Sequence, residues 1–245
     1  MKILDDVYII GGGIYGIGLS SRLDCNIFLI DCGTESVLID AGVGDNTEKI
    51  IENVSKEPFV KSKVKKLFLT HAHLDHSGGA AKLKKLLGLE VYMSEIEAGY
   101  IEKGDEAAIG LDKAKRSMIY PGDYGLTPVK IDYHLKNGEV VNVGNYDFRV
   151  INTPGHSKGS TCFLLKSSNK NILFSGDVIF LGGFISLQNL PDSSLADYAA
   201  GMNNLKDLSI DTLLPSHYGF TIENGQYHID QAIIALEGLT IPKLI

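Results

Sequence analysis

Three histidines and an aspartate fall within six consecutive positions of the stretch THAHLDHSGG: His71, His73, Asp75 and His76, in a chain with seven histidines in all. Imidazole and carboxylate are the donors that borderline divalent cations take, and a cluster this dense is costly to bury without a ligand. His71 and His73 are two apart, so on an extended segment both rings project to one side. Asp75 and His76 then enter the turn into a helix expected to start at a Ser77 cap, and point to a neighbouring position. One loop thus offers two half-sites. Three more candidates follow apolar runs elsewhere: His156 after FRVINTPG, Asp177 after ILFSG and His217 after TLLPS. His156 can complete the first half-site and His217 the second, and the two oxygens of Asp177 can bridge them. Three imidazoles with one carboxylate, or two imidazoles with two carboxylates, suit zinc, and also iron or manganese. His134 and His228 follow no strand end and read as surface residues.

Short apolar, β-branched runs predict the strands that would carry these groups: 7–10, 26–30, 36–39, 66–69, 148–151, 161–165, 172–174 and 212–214. Helical patterns lie between them, at 45–54 from an Asp45 cap and at 77–88 from Ser77 to a Gly88 stop, with further ones at 94–103, 105–118, 193–208 and 229–238. This is a mixed α/β (α+β) pattern, in which loops beyond one end of the strands converge on a common site. The halves echo each other. CNIFLIDCGTESVLIDAG and TCFLLKSSNKNILFSGD are each two strands around a polar turn ending in aspartate, and KKLFLTHAH resembles FRVINTPGH. The echo predicts two similar sheets packed face to face. No Pro/Ser-rich linker divides the chain, so a single domain is expected, with a helical insertion at about 94–135. Tyr120 and Tyr124 in that insertion, with Phe184 and Tyr218, are the candidates for a substrate pocket.

With 245 residues, 44% of them hydrophobic and 22% charged, the chain can bury a substantial core. A formal net charge of -7 argues against a sequence-independent grip on nucleic acid or an anionic membrane. Three cysteines, Cys25, Cys32 and Cys162, form no CxxC pair and fit a reducing cytoplasm. The start of the chain lacks a signal-peptide pattern, and no apolar run approaches the ~20 residues of a membrane helix. The partner expected is a small-molecule substrate.

VYIIGGGIYG contains Gly11, Gly13 and Gly16 as GxGxxG, with Asp31 about where a ribose-binding acid would stand. The segment that follows, IGLSSRLDC, lacks the amphipathic pattern of the helix such a fingerprint needs. A glycine-rich hairpin tip is the better reading, and no nucleotide cofactor is expected.

The series HxHxDH at 71–76, then His156, Asp177 and His217, resembles the metallo-β-lactamase-fold hydrolases. TPGHSKGSTCFLL and LFSGDVIF resemble their glyoxalase II-like branch. The resemblance runs from about Asn26 to Gly219. It implies an αββα sandwich with two metal ions at one edge: His71, His73 and His156 on one, Asp75, His76 and His217 on the other, and Asp177 bridging. Asp40 in VLIDAG matches an aspartate that orients a ligand histidine. The implied chemistry is attack of a metal-activated hydroxide, positioned in part by Asp75, on an ester, thioester or lactone. Only 28 residues follow His217, too few for the helical domain that supplies much of the glutathione site in glyoxalase II itself. The alternatives on the same fold are a persulfide dioxygenase with one iron, whose arginine after the aspartate motif is missing here, and a nuclease, for which the chain is too acidic. Outside enzymes, a metal-binding or dinucleotide-binding module remains.

Overall fold

The computed structural model describes residues 1–56, 63–167, 170–238 and 240–245. They form two compact units, Met1–His134 and Leu135–Ile245.

The first unit is built on a six-stranded mixed sheet: β1 (Val7–Gly11), β2 (Ile27–Asp31), β3 (Ser36–Ile39), β4 (Val64–Phe68), β5 (Glu90–Ser94) and β6 (Tyr133–Leu135), adjacent in that order. β1, β2 and β3 pair antiparallel, while β4 and β5 run parallel to β3. Helix α1 (Thr47–Lys56) makes the crossover from β3 to β4. It lays Ile50 and Val54 on a cluster that includes Ile10, Leu29, Leu38 and Leu67. Each such side chain contributes on the order of 1.5–3 kcal/mol by leaving water. Helices α2 (Leu74–Ser77) and α3 (Ala80–Leu87) lead on to β5. The two helices expected at 94–103 and 105–118 form as the shorter α4 (Ala98–Lys103) and α5 (Leu111–Arg116).

The second unit is a five-stranded sheet in the order β11-β10-β9-β8-β7. Its strands are β7 (Val140–Val143), β8 (Tyr146–Asn152), β9 (Thr161–Ser167), β10 (Lys170–Gly176) and β11 (Thr212–Pro215). The middle of the polar turn between β9 and β10, residues 168 and 169, lies outside the described residues. Helix α6 (Leu195–Met202) starts at Ser194, whose hydroxyl accepts from the Asp197 amide, and makes the crossover from β10 to β11. With α7 (Gly225–Glu237) it covers one side of this sheet through Tyr198, Met202, Ile229 and Ile233.

Each unit is one sheet, and the echo between them is topological. In β1–β4 the successive pairings are antiparallel, antiparallel, parallel, and the same sequence recurs in β8–β11. The third strand is followed by Asp40 in one unit and Asp177 in the other. The fourth leads to Thr70-His71 or to Ser216-His217. This corrects one expected correspondence: the strand before His71 matches the strand before His217, not the one before His156. Two helix starts are corrected as well. Helix α1 begins at Thr47 rather than at an Asp45 cap, and the Asp45 carboxylate accepts the Tyr124 hydroxyl at 2.6 Å. Ser77 ends α2 instead of capping a helix, because its hydroxyl donates back to the carbonyls of Ala72 and His73. Strands β5, β6 and β7 were not legible as apolar runs, β7 because exposed and buried residues alternate along it.

The glycine-rich segment after β1 is a loop with no helix behind it, and the strand that follows is antiparallel. A Cβ at Gly13 would lie 2.2 Å from the Arg22 carbonyl oxygen, and one at Gly16 2.2 Å from Asn26 Oδ1. The glycines therefore serve close packing of the loop on itself. The GxGxxG pattern is not a dinucleotide fingerprint, which needs a helix N-terminus and a parallel strand. No helix among the described residues is long and apolar enough to cross a membrane.

Candidate metal centre

The first unit positions four of the predicted ligands with one turn of chain. Beyond β4, Leu69 and Leu74 are both buried and pin the intervening loop. His71 and His73 sit in this bend. Their rings meet edge to face with centroids 4.6 Å apart, and His71 Nε2 lies 3.0 Å from His73 Nδ1. Asp75 and His76 lie in the single turn of α2, where Asp75 Oδ2 is 3.6 Å from His76 Nε2. His71 and His76 are also neighbours, with ring centroids 4.0 Å apart. The turn closes against the chain after β3: Ala41 N donates to the His76 carbonyl, and Gly79 N to that of Gly42. A Cβ at Gly79 would stand 2.1 Å from the Ala41 oxygen, which accounts for glycine in the SGG that ends the motif.

Asp40 is fully buried, at a φ of 64°, and its carboxylate faces this loop. It accepts the Thr70 amide at 2.8 Å and the Thr70 hydroxyl at 2.9 and 3.0 Å, and it lies 2.9 Å from His76 Nδ1. A carboxylate only accepts, so His76 carries its proton on Nδ1 and its lone pair on Nε2. The sequence motif pointed to Asp40; it gave no sign that His76 is its partner. Cys25 lies beside this pair, and burial pushes its thiol well above the ordinary range.

The second unit brings together the other three. Asp177 follows β10, and its Oδ2 lies 3.7 Å from His156 Nε2 and 3.4 Å from His217 Nε2. One carboxylate oxygen is thus shared between two imidazoles. His156 Nδ1 donates to the Ser186 carbonyl at 2.8 Å, which again leaves the lone pair on Nε2. The Tyr198 hydroxyl is 3.0 Å from that same carbonyl and 3.2 Å from the Asp177 carbonyl. Burial, with the nearby Asp177 charge, holds the Tyr198 phenol well above its usual range, so it stays a donor.

Neutral imidazoles with Nε2 lone pairs, buried beside carboxylates, are the form in which histidine ligates a divalent cation. The buried His and Asp side chains include sets able to hold such an ion. Sequence reasoning missed the residues that hold these side chains in place: Thr70, Ser186, Tyr198 and the buried Glu97, whose Oε2 takes the Ala72 amide at 2.8 Å. Only Thr70 had a local signal, since it abuts the motif.

The four pocket candidates are divided between the units. In the first, Tyr120 and Tyr124 stack with centroids 6.2 Å apart, and Tyr124 lines a groove of about 490 Å³ with Asp45, Lys82 and Lys85. In the second, Tyr218 is half exposed and meets the Phe180 ring, while Phe184 lies under Lys243. His134 is exposed as expected, but His228 is half-buried and accepts the Gly182 amide at 2.9 Å.

Residues 21–217 match the metallo-beta-lactamase superfamily, and the chain belongs to that family. Among its relatives is an acyl-coenzyme A thioesterase, MBLAC2, of Gallus gallus, 28% identical over 94% of this chain and 86% of its own length. Another is the hydroxyacylglutathione hydrolase GloC of Haemophilus influenzae, 29% identical over 57% of this chain and 60% of its own. A similar solved structure is BJP-1, a subclass B3 metallo-beta-lactamase of Bradyrhizobium japonicum, with a TM-score of 0.69, 26% identity, and coverage of 89% of this chain and 76% of that one. A mutant of the lactamase FEZ-1 from Legionella gormanii shares the fold at a TM-score of 0.72 and 20% identity, covering 95% of this chain and 91% of that one. The fold is that of the metallo-β-lactamases.

Proposed function

We propose that this chain is a metal-dependent thioesterase, and that the ligands of its two units form one dinuclear centre, most readily for zinc. His71, His73 and His156 would hold one ion and Asp75, His76 and His217 the other, with Asp177 shared. The observation that carries this reading is the ring chemistry: His76 and His156 each have Nδ1 committed to an acceptor of their own unit, leaving Nε2 for a ligand. Asp177 Oδ2, between the Nε2 atoms of His156 and His217, has the contacts expected of a bridging carboxylate. Bound ions of this kind supply a nucleophilic water near neutral pH and an electrophile for a carbonyl oxygen. The chain's own part is to hold neutral imidazoles in one tautomer, to place the Asp75 carboxylate where it can orient that water, and to exclude solvent behind the ligands through Leu69, Leu74 and Tyr198. No serine or cysteine nucleophile is required. A thioester is favoured over a lactone or simple ester because relatives spanning most of the chain include a thioesterase of acyl-coenzyme A and, at 26% identity over 85% of this chain, one of an acyl carrier protein.

Metal analysis of the purified chain and a substrate panel test this together. Two zinc ions per chain, with acyl-coenzyme A cleaved faster than lactones or phosphodiesters, is the expected result. One iron per chain with oxygen consumed on a persulfide would replace the reading by its redox alternative.

A further inference from the structure

The Asp40 carboxylate meets a histidine of each proposed half-site, His76 directly and His71 only through a hydroxyl. Thr70 Oγ1 stands 2.9 and 3.0 Å from the two Asp40 oxygens and 3.1 Å from His71 Nδ1. A threonine hydroxyl has one proton to give and lone pairs with which to accept. Asp40 can only accept, so the hydroxyl proton goes to Asp40; the His76 Nδ1–H, 3.4 Å from the Thr70 oxygen, is already given to Asp40 at 2.9 Å, so the Thr70 oxygen takes its hydrogen bond from His71 Nδ1–H at 3.1 Å. We infer that Thr70 is a positioning residue: it extends the Asp40 carboxylate to His71 and fixes that ring as the Nδ1–H tautomer.

The direction of this relay decides which His71 nitrogen is available. With the proton on Nδ1, the lone pair is on Nε2, the atom 3.0 Å from His73 Nδ1. Reversed, with Thr70 donating to His71, the hydroxyl oxygen would face the carboxylate without a proton between them at 2.9 Å, a repulsive contact in a fully buried place. The same carboxylate sets His76 at 2.9 Å without an intermediary. One buried anion therefore governs one ring in each half-site, and the two can be separated by mutation. Loss of the Thr70 hydroxyl releases His71 alone, whereas loss of the Asp40 charge releases both rings.

The inference takes its two half-sites from the proposed dinuclear centre, but its first readout does not depend on metal. Nitrogen-15 NMR of the metal-free chain, well above the ordinary histidine range of pH, reports the tautomer of each ring. In the parent His71 and His76 are both expected as Nδ1–H. In Thr70→Val, His71 drifts to a tautomer mixture while His76 keeps its signature. In Thr70→Ser the parent pattern returns. The second readout is metal affinity by competition with a chromogenic zinc chelator, where Thr70→Val is expected to weaken one zinc by about 10- to 100-fold, and Asp40→Asn both. A valine variant with an unchanged His71 tautomer overturns the relay, as does a serine variant that behaves like the valine one. If Thr70→Val does not fold, Thr70→Ala is read in its place by the same spectra. A parent chain that binds no second zinc, yet shows the His71 shift in Thr70→Val, would sink the dinuclear reading and leave the relay standing.

Discussion

Removing one oxygen atom, in Tyr198→Phe, tests how the second unit holds His156 and Asp177, two of the proposed ligands. The hydroxyl lies 3.0 Å from the Ser186 carbonyl and 3.2 Å from the Asp177 carbonyl. It has a single proton, so the loss is one hydrogen bond at full strength plus a weaker shared contact. In a side chain with no exposed surface this comes to about 1–2 kcal/mol, without the cavity that Tyr198→Ala would open. For a chain of this length that corresponds to a fall in Tm of roughly 2–8 °C. The Ser186 carbonyl also orients His156, so loosening it should lower zinc affinity, by about tenfold at the weak end of such effects. Differential scanning calorimetry of the metal-free chain and chelator competition on the loaded chain measure the two separately. A Tyr198→Phe variant with the parent's melting curve and the parent's zinc affinity would refute the view that this hydroxyl holds the loop after β10 and the His156 ring together.

Asp177→Ala should abolish thioester hydrolysis while far-ultraviolet circular dichroism stays that of the parent; an unimpaired enzyme would rule out a shared carboxylate. Gly13→Ala forces a methyl against the Arg22 carbonyl oxygen and should cost about 1–3 kcal/mol, read as a lower urea midpoint. Equal midpoints would mean that the loop is not packed as tightly as described. Burial pushes the Cys32 and Cys162 thiols up to about 12, and Cys25 higher. Because the thiolate is the reactive form and each pKa is raised, only about one thiol in ten thousand is ionised at pH 8. A disulfide exchange reagent should therefore leave the native chain unlabelled at that pH and titrate three thiols after denaturation, and rapid labelling of the native chain would contradict the burial.

The fold was half legible. Runs such as IFLI and ILF fixed the central strands, because a strand buried along its length reads as continuous apolar sequence. β7 alternates and β6 is three residues long, so neither stands out from a loop. The GxGxxG segment is ambiguous in isolation, since a pattern of glycines does not distinguish a phosphate-binding turn from a loop packed on its own carbonyls; the missing amphipathic helix behind it is what separated the two. Ser77 looked like a cap because serine is a common one, but its hydroxyl found carbonyls four and five residues behind it.

By itself the sequence determined the donors of the first unit, because His71, His73, Asp75 and His76 are covalently within six positions and a short bend must bring them together whatever surrounds it. It also determined which other residues to look for, since each follows a strand and strand ends are where loops carry chemistry. Only the tertiary structure decided which nitrogen each of His76 and His156 presents. That depends on acceptors distant in the chain, Asp40 for His76 across 36 residues and the Ser186 carbonyl for His156 across 30. A hydrogen bond is made by position and direction in space, and no local pattern of residue types encodes a partner that far away.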